Sequence, residues 1–335
     1  MYTLPTAINA SGAITGWDNA PPQANGFVRA TNGAITSFRV SNDQTTRATT
    51  INSLGTIAGY SIDKQGAFSG FVRSVDGTIR SFTVPGNIYC EEQADFYCAA
   101  VSINDAGVIT GSYTSGQASH GFVRAVNGVV TTFDPAGSVT TYSTEQHCHQ
   151  CRRNHRRVLR DANLTPHGFE RAVDGTIVTF DAQGTNGFGT YAYSINDLGV
   201  IAGSYEDEYA THHGFLRAVD GATTRFDAPY VGRSLPVGTY ALSLNAAGTI
   251  TGFFNDLFND GGNCCFARGF ERSPDANIGS FEAPDSLPGF STYGATWAHA
   301  INAAGIIVGT YMTIESCEPA PCSPPIIAHG FLVMP

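Results

Sequence analysis

Lysine is almost absent from this chain, since Lys64 is the only one among 335 residues. Arginine supplies most of the positive charge, and the formal net charge is −10 at pH 7. An acidic surface with so few cations repels phosphate backbones and other polyanions. The composition therefore argues against nucleic acid as a partner.

Long apolar runs and helical periodicity are missing as well. No segment stays apolar for long enough to span a membrane, so we expect no membrane span. No window repeats its apolar residues at helical spacing, which predicts almost no helix. A signal peptide is also absent, and Met1 stands almost directly on a predicted strand, so we expect a mature or trimmed form.

The common catalytic motifs are not found either. The chain has no Gly-x-Ser-x-Gly elbow, no His-Glu-x-x-His pair and no phosphate-binding loop. The sequence therefore identifies no catalytic residue and no reaction.

What the chain does contain is one phrase that returns along its whole length. The first half reads Ile-Asn-x-x-Gly-x-Ile-x-Gly, with Leu replacing the first Ile once, and its Asn residues are Asn9, Asn52, Asn104, Asn196, Asn245 and Asn302, with a degraded copy near His149. The second half reads Gly-Phe-x-Arg and begins at Gly26, Gly70, Gly121, Gly168, Gly214, Gly269 and Gly330, the last copy lacking the Arg. A period of roughly 43 to 57 residues is typical of propeller blades and not of helical solenoids.

The segment from Tyr191 to Pro229 shows the strands of one repeat. We predict four strands, at 191–195, 200–205, 214–219 and 222–227, with a short turn at 196–199, a polar loop at 206–213 and a tight hairpin at 220–221. Four antiparallel strands make one propeller blade, and such a small sheet must stack on its neighbours to bury both faces.

The predicted fold class is therefore all-β: a seven-bladed β-propeller of four-stranded antiparallel blades, forming a single domain over residues 1–335. The blades start near residues 6, 48, 99, 142, 191, 240 and 293. The last copy stops at Pro335 after its third strand, and Tyr2-Thr-Leu-Pro5 matches Phe226-Asp-Ala-Pro229. We predict that the N-terminal strand completes the last blade, which also removes two open sheet edges.

Residues 147–160 break the repeat and hold five of the 18 basic residues. A zinc site is one interpretation, with His147, Cys148, Cys151 and His155 among its ligands, but a second ligand pair at finger spacing is missing. The alternative is a local frameshift, because codons compatible with this segment read Ile-Ala-Ile-Asn-Ala-Ala-Gly-Ile-Thr-Gly-Gly-Tyr-Tyr when shifted by one base. On this hypothesis blade 4 is the weakest blade, with poor pairing over 147–160.

The eight cysteines fall in short-range groups within predicted loops or within the degraded copy. Such spacing favours local disulfides and an oxidising compartment. Our preferred bridges are Cys90–Cys98 and Cys317–Cys322. The adjacent Cys264 and Cys265 either bridge each other or reach a neighbouring blade.

The repeated phrase, with His-Gly-Phe at His120, His167, His213 and His329, resembles the HAF family of extracellular bacterial repeat proteins. That family is named for a His-Ala-Phe triplet, and here Gly replaces the Ala while Asn25, Ser69 and Arg268 replace the His. The resemblance covers essentially the whole chain. It implies a secreted protein with a propeller-like repeat, and it implies no shared reaction.

Residues that recur in every blade serve the blade, so function is expected in what varies. The Asn should bond its own turn, the Phe should fill the space between sheets, and the Arg should bond neighbouring strands. We expect the repeated His to be structural, because equivalent positions in separate blades lie too far apart to share one ion.

Long, irregular loops are predicted on one face of the ring, where sites are usually found. Aromatic rings beside carboxylates suit a sugar, so the candidate ligand-binding residues are Trp17, Tyr60, Tyr113, Tyr205, Glu206, Asp207, Glu208, Phe253, Asp256, Trp297 and Tyr311. Calcium could bind oxygen atoms of Asp256, Asn259 and Asp260, although their spacing matches no standard loop. We otherwise expect no cofactor.

Three functions compete at this stage. The first is a secreted, monomeric binding or scaffold protein that presents the loop face to a neutral glycan or to a protein. The second is a polysaccharide-active lyase or glycosidase that uses a carboxylate pair from Glu206, Asp207, Glu208 and Asp256. The third is a structural repeat module of a surface assembly.

Overall fold

The computed structural model describes residues 3–42, 44–88, 101–116, 118–141, 159–185, 188–229, 238–257, 265–282, 290–291, 296–315 and 326–335. These residues form strands and turns with no helix, so the all-β prediction is confirmed for the part of the chain described. None of the described residues, accordingly, belongs to a helix able to cross a membrane.

The chain forms two compact units, one of residues 6–192 and one of residues 1–5 with 193–335. The unit of residues 6–192 contains four sheets of antiparallel strands in sequential order. Sheet 1 has β1 (Thr3–Ile8), β2 (Ile14–Asp18), β3 (Asn25–Arg29) and β4 (Ile35–Phe38), and sheet 2 has β5 (Thr45–Ile51), β6 (Ile57–Ile62), β7 (Phe68–Arg73) and β8 (Ile79–Phe82). Sheet 3 has β10 (Val101–Ile103), β11 (Ile109–Ser115), β12 (Ala118–Arg124) and β13 (Val130–Phe133), with β9 (Asn87–Ile88) also paired to β11, and sheet 4 has β14 (Thr140–Thr141), β15 (Leu159–Arg160), β16 (Pro166–Arg171) and β17 (Ile177–Phe180).

Sheets 5 and 6 of the other unit repeat the same four-stranded pattern. Sheet 5 has β18 (Thr190–Ile195), β19 (Ile201–Glu206), β20 (His212–Arg217) and β21 (Thr223–Phe226), and sheet 6 has β22 (Gly238–Leu244), β23 (Ile250–Leu257), β24 (Cys265–Arg272) and β25 (Ile278–Phe281). One parallel pairing, His212 with Gly238, joins sheets 5 and 6 into eight strands. Sheet 7 has β27 (Thr296–Ile301), β28 (Ile307–Glu315) and β29 (Ile326–Val333) as its first three strands, with β26 (Phe290–Ser291) also paired to β28.

One end of the sheets, which we call the turn end, carries the Asn turn between the first two strands in sheets 1, 2, 3, 5, 6 and 7 and a Gly hairpin between the last two strands in sheets 1 to 5. The amide of Asn196 bonds the carbonyl of Val200, and Gly199 takes a φ of 77° that glycine tolerates best. Gly221 in the second hairpin has a φ of 90°. The predicted strands and turns of this repeat are thus confirmed to within one or two residues.

The opposite end of each sheet, which we call the cluster end, carries the connection from the second to the third strand. The prediction that these connections are long is wrong where they are described in sheets 2, 4 and 5. Residues 63–67, 161–165 and 207–211 form compact turns there. In each turn an aspartate, Asp63, Asp161 or Asp207, accepts two backbone amides through its side chain, which closes the turn locally.

The repeated Gly and Phe residues build the contact between consecutive sheets. In sheet 1 the ring of Phe38 on β4 covers Gly26 on β3, where a Cβ atom would lie 2.6 Å from the ring. The same ring meets Phe71 of sheet 2 edge to face, with centroids 5.9 Å apart. The arrangement recurs in Phe82–Phe122, Phe133–Phe169, Phe226–Phe270 and Phe281–Phe331. Each aromatic pair contributes about 0.5–1.5 kcal/mol beyond the area it buries.

The repeated Arg completes this contact in a way that the sequence did not predict. Arg73 of sheet 2 lies over the ring of Phe38 in sheet 1, with its Cζ atom 4.9 Å from the ring centroid. Its Nη1 atom donates a long hydrogen bond of 3.5 Å to the carbonyl of the adjacent Ser74. The same stacking occurs in Arg124–Phe82, Arg171–Phe133 and Arg272–Phe226. The expected bonds to neighbouring strands are therefore replaced by cation–π contacts.

The repeated Asn has two functions. The Oδ1 atom of Asn52 accepts the amide of Thr56 at 2.9 Å, as the sequence predicted. Its Nδ2 group also donates to the carbonyl of Asn104 in the next sheet at 3.1 Å. Asn9, Asn196 and Asn245 make the same inter-sheet bond to the following Asn. One amide side chain thus fixes a turn and ties that turn to the adjacent sheet.

The N-terminal segment lies against sheet 7, within the unit of residues 1–5 and 193–335. A Cβ atom on Gly330 of β29 would lie 2.9 Å from Cδ of Pro5 and 3.6 Å from the carbonyl oxygen of Thr3. In the other sheets the equivalent glycine is covered by the Phe of the fourth strand. Residues 3–5 therefore cover the glycine that a fourth strand covers elsewhere.

Sheet 4 is described over short strands only. Thr140–Thr141 pair with Leu159–Arg160, which pair in turn with Pro166–His167. Of the segment predicted to pair poorly, residues 147–158 lie outside the described residues, while Leu159 is buried and belongs to β15.

Candidate functional site

Most of the aromatic residues proposed as a ligand platform are buried. The side chains in question are exposed by at most 6%: Trp17 2%, Tyr60 0%, Tyr113 6%, Tyr205 2%, Phe253 6% and Trp297 5%. All except Trp297 lie on the second strand of their sheets, and Trp297 is on the first strand of sheet 7. A ring that is already covered offers no face to a sugar, so these six side chains pack the sheets in this structure.

Trp17 and Tyr60 show what these rings contact. Arg47 on β5 places its Cζ atom 4.3 Å from the ring centroid of Trp17 and donates a 3.1 Å hydrogen bond to the hydroxyl of Tyr60. Burial raises the pKa of Tyr60, against the opposing effect of the Arg47 charge. The tyrosine therefore stays neutral and acts as an acceptor for a cation inside the protein.

The remaining candidates are distributed around sheets 5, 6 and 7. Glu206 is 8% exposed at the end of β19, Asp207 is partly exposed and Glu208 is exposed in the following turn. Tyr311 is partly exposed and stacks on His329, with centroids 4.9 Å apart. Asp256 belongs to β23, and its side chain lies outside the described residues.

The cluster ends carry a recurring polar pair, in which a side chain on the third strand contacts a carboxylate on the residue after the fourth. His120, His167 and His213 each direct Nδ1 at the carboxylate fourteen residues later, with separations of 2.8 Å to Asp134, 2.8 Å to Asp181 and 2.6 Å to Asp227. In sheet 6 the same two positions hold Arg268 and Glu282, 3.1 Å apart. The structural role expected for the repeated His is therefore consistent with these contacts.

Sheet 5 develops this pair into a larger group, the His213 cluster, made of Tyr205, Asp207, His213, Arg225 and Asp227. The Nε2 atom of His213 lies 3.0 Å from Oδ2 of Asp207, in addition to the Nδ1 contact with Asp227. Arg225 donates to Oδ2 of Asp227 from Nε at 3.2 Å and from Nη2 at 2.9 Å. Tyr205 is hydrogen-bonded to Arg225 and its ring lies 5.1 Å from that of His213.

Local structure places each member of the cluster. Asp207 begins the turn after β19, and its Oδ1 atom accepts the amides of Tyr209 and Thr211 at 2.9 and 3.0 Å. This leaves Oδ2 directed at β20, where His213 stands opposite Tyr205 in the strand register. Asp227 follows β21 directly, so both carboxylates reach the same imidazole from opposite sides.

The cluster sets the protonation of its members. Burial lowers the pKa of His213, but the bonds to Asp227 and Asp207 outweigh that effect and raise it. Burial raises the pKa of Asp227 and Asp207, but the bonds from His213, together with Arg225 at Asp227 and the turn amides at Asp207, leave both pKa values lowered. Wherever the pH is low enough to protonate His213, two cations face two carboxylates and the group is neutral as a whole.

This arrangement does not provide a general base. Both nitrogens of His213 are already engaged with carboxylates, and its side chain is 6% exposed. A catalytic base needs a free lone pair within reach of a substrate proton. The cluster instead connects the turn at 207–211 to both neighbouring strands.

A column of stacked rings adjoins the cluster at the junction of sheets 5 and 6. His212 lies 4.8 Å from Tyr240, and Tyr240 lies 4.7 Å from Phe253, measured between ring centroids. The parallel pairing of His212 with Gly238 lies beside this column. The column explains the burial of Phe253, which was proposed as a ligand contact.

The spacing of these polar pairs is visible in the sequence. His or Arg precedes an acid by fourteen residues in four repeats, at His120, His167, His213 and Arg268. The second carboxylate at His213 was harder to find, because Asp207 was assigned to a long loop.

Several sequence predictions fall on residues outside the described part of the chain. These are the disulfide cysteines Cys90, Cys98, Cys317 and Cys322, the zinc candidates His147, Cys148, Cys151 and His155, the calcium candidates Asn259 and Asp260, and Cys264. Cys265 belongs to β24, but its side chain is likewise not described. Among the side chains that are described, no group of three or more His, Cys, Asp or Glu is placed to hold a metal ion.

Comparison with known proteins adds similarities of shape alone. No protein-family model matches the chain, and no curated protein matches it in sequence. A catalytically inactive virginiamycin B lyase from Staphylococcus aureus, crystallised with quinupristin, superposes with a TM-score of 0.49 at 11% identity, covering 92% of this chain and 91% of the other. TolB from Acinetobacter baumannii gives a TM-score of 0.47 at 12% identity over 79% and 62% of the two chains. A prolyl endopeptidase gives 0.36 at 9% identity over 94% and 40%.

Proposed function

We propose that this chain is a β-propeller that serves as a binding or scaffold protein, with its variable cluster-end connections as the contact surface. The repeated inter-sheet contacts support the architecture, because the Phe pairs, the Arg stacking and the Asn bonds each join one sheet to the next. The seven copies of the Gly-Phe phrase, and the cover that Pro5 gives to Gly330, favour seven blades with the last completed by the N-terminal strand.

The functional proposal rests on one observation: the repeated histidines already contact carboxylates of the same sheet through their ring nitrogens. His120, His167 and His213 are each paired with an acid, and His213 is paired with two. Groups committed to holding the fold are poor candidates for moving protons in a reaction. Binding by non-repeated residues is therefore the better-supported role.

The turn at 207–211 is the described part of this surface with the greatest exposure of an aromatic ring. Tyr209 is 78% exposed at its tip, next to the exposed Glu208. A neutral glycan or a protein suits an aromatic ring beside a carboxylate, whereas the net charge of −10 disfavours acidic polymers. Asp207 and Tyr311, which remain partly exposed, belong to the same proposal.

A glycan array at neutral pH tests this proposal, with acidic polysaccharides included for comparison and reducing ends assayed for turnover. We expect binding to neutral glycans without product release. Tyr209→Ala should weaken that binding about tenfold, since burying a large apolar side chain against a ligand contributes roughly 1.5–3 kcal/mol. Val219→Ala is the matched control, because Val219 is 70% exposed in the hairpin at the opposite, turn end of the same sheet.

Three outcomes would count against the proposal. Release of products would favour the alternative of a lyase or glycosidase. An equal effect of both substitutions would show that the turn is not the contact surface. Absence of any glycan or protein ligand would favour a structural repeat module.

The remaining properties that we propose follow from the cysteine groups and from the resemblance to extracellular repeat proteins. The protein is secreted and monomeric, with disulfides Cys90–Cys98 and Cys317–Cys322, and it needs no cofactor. Mass spectrometry of a non-reduced digest should recover both linked peptides. Free thiols at these four positions would contradict the assignment to an oxidising compartment.

A further inference from the structure

The three histidines at equivalent positions form a graded series. The Nδ1 atom of His120 lies 2.8 Å from the carboxylate of Asp134, and 27% of the His120 side chain is exposed. His167 has Asp181 at 2.8 Å and a second carboxylate, Asp161, at 3.9 Å, with 25% exposed. His213 has both carboxylates within hydrogen-bonding distance and is 6% exposed. Burial and the approach of the second carboxylate therefore reach their maximum in sheet 5.

The geometry around His213 requires an imidazolium. A neutral imidazole carries one N–H and one lone pair, so one of its nitrogens would face a carboxylate oxygen with no proton between them. The corresponding position of sheet 6 supports this reading, because it holds Arg268, a permanent cation, beside Glu282. A cation between strands is thus what this position accommodates.

We propose that His213 is a proton-operated latch for the turn at 207–211, closed while the imidazole is protonated and released when the proton is lost. The latch consists of the contact between Nε2 of His213 and Oδ2 of Asp207, which is the tie from the turn to β20 through its side chains. The proposal concerns the position of the turn and does not depend on which ligand the protein binds.

The network determines which bond is lost. Asp227 is held by Arg225 through two hydrogen bonds and lies 2.6 Å from Nδ1, so the remaining proton of a neutral His213 stays on Nδ1. The Nε2 proton passes to solvent, and the lone pair left behind repels the carboxylate of Asp207. The same carboxylate closes the turn by accepting the amides of Tyr209 and Thr211 through Oδ1, so its displacement from His213 also loosens the bonds inside the turn.

The charged and titratable groups around His213 fix the pH window. They are Tyr205 on β19, Asp207 in the turn, and Arg225 and Asp227 at β21, with His212 adjacent on β20 itself. The pKa of His213 is raised above 6.5, so the latch is fully closed below pH 6.5 and opens as the pH rises through the higher value. The lowered carboxylate pKa values keep the latch intact down to about pH 3.8 and weaken it below that.

Nuclear magnetic resonance on the intact wild-type chain tests the latch directly. The ring of His213 should titrate with a midpoint above 6.5, as the doubly protonated form at lower pH. Hydrogen exchange at the amides of Asp207, Tyr209 and Thr211, corrected for intrinsic base catalysis, should rise about tenfold per pH unit between 6.5 and that midpoint and then level off. A midpoint at or below 6.5, or exchange that ignores the titration of His213, would overturn the proposal.

Two variants separate the latch from simple structural support. Asp207→Asn keeps an oxygen acceptor for the amides of Tyr209 and Thr211 but removes the charge opposite Nε2. It should lower the midpoint of His213 and abolish the pH response of the turn. His120→Gln lies in another sheet and should leave both unchanged. If Asp207→Asn leaves the pH response intact, the contact is not a latch, and the wild-type titration decides the question even if this variant does not fold.

Discussion

The two ends of each sheet are built on different principles. The turn end is the same in nearly every described sheet, with the Asn amide tying one turn to the next and glycines at positive φ closing the hairpins. The cluster end differs from sheet to sheet, from the single pair at His120 to the closed group around His213. The repeated Asn bonds at the turn end hold neighbouring sheets together, so the residues at the cluster end can differ from sheet to sheet without loss of these bonds.

The largest loss of stability is expected from substitutions of the glycines on the second strand, where the neighbouring sheet strands leave no room for a side chain. A Cβ atom on Gly252 would overlap the backbone carbonyl of Tyr240, which cannot move without disturbing β22. We expect Gly252→Ala to lower the free energy of unfolding by about 3 kcal/mol or more. Gly279→Ala is the control, because nothing lies within 4 Å of its Cβ position. Equal denaturation midpoints for the two variants would contradict this account.

The next effect concerns the Asn that ties the turns together. In Asn52→Asp the acceptor for Thr56 remains, but a carboxylate replaces the donor to the carbonyl of Asn104. We expect a loss of about 1–3 kcal/mol, measured by chemical denaturation. Asn32→Asp should be nearly neutral, because Asn32 caps Ala34 through its oxygen alone. A neutral result at both positions would show that the inter-sheet bond contributes nothing.

A smaller effect is expected from the stacked arginine. Arg73→Gln removes the cation above Phe38 and should cost about 0.5–2 kcal/mol. Arg80→Gln tests the general effect of losing an arginine, since Arg80 is exposed on the outer strand β8. If both substitutions cost the same, the cation–π contact is not a source of stability.

The smallest loss of stability is expected at His120, the most exposed of the three histidines. His120→Gln disrupts a pair that is partly exposed on both sides, and pairs of this kind contribute about 0–1 kcal/mol. Thermal unfolding should therefore shift by only a few degrees. A loss as large as that of Asn52→Asp would remove the distinction between the two ends of the sheets.

The local parts of this fold were accessible from the sequence. The Asn-x-x-Gly turns, the Gly hairpins and the alternation of strands follow from backbone preferences within a few residues, and sheet 5 shows them where predicted. Contacts between sheets were harder to foresee, because they depend on how one sheet is placed on the next. The hydrogen bond from Asn52 to Asn104 and the stacking of Arg73 on Phe38 are both contacts of this kind.

The candidate site was less predictable than the fold, for a related reason. The sequence pattern predicts the rings of Trp17, Tyr60 and Tyr205 on or near the face of long loops. The second strand of a sheet, however, is covered by neighbours on both faces, and β6 and β19 are buried along almost their whole length. A nearly continuous run of apolar and small residues, as in Ile57-Ala-Gly-Tyr60, is the sequence feature that indicates a central strand and would have identified these rings as interior.

The unit formed by Phe38, Gly26, Phe71 and Arg73 spans two consecutive sheets. Coupling of this kind passes from neighbour to neighbour, so that the total stability approximates a sum of sheet terms and junction terms. A lesion in one repeat then weakens the junctions it shares and leaves more distant ones largely intact. Such a chain can accumulate changes in one sheet at a time without losing the rest of its structure.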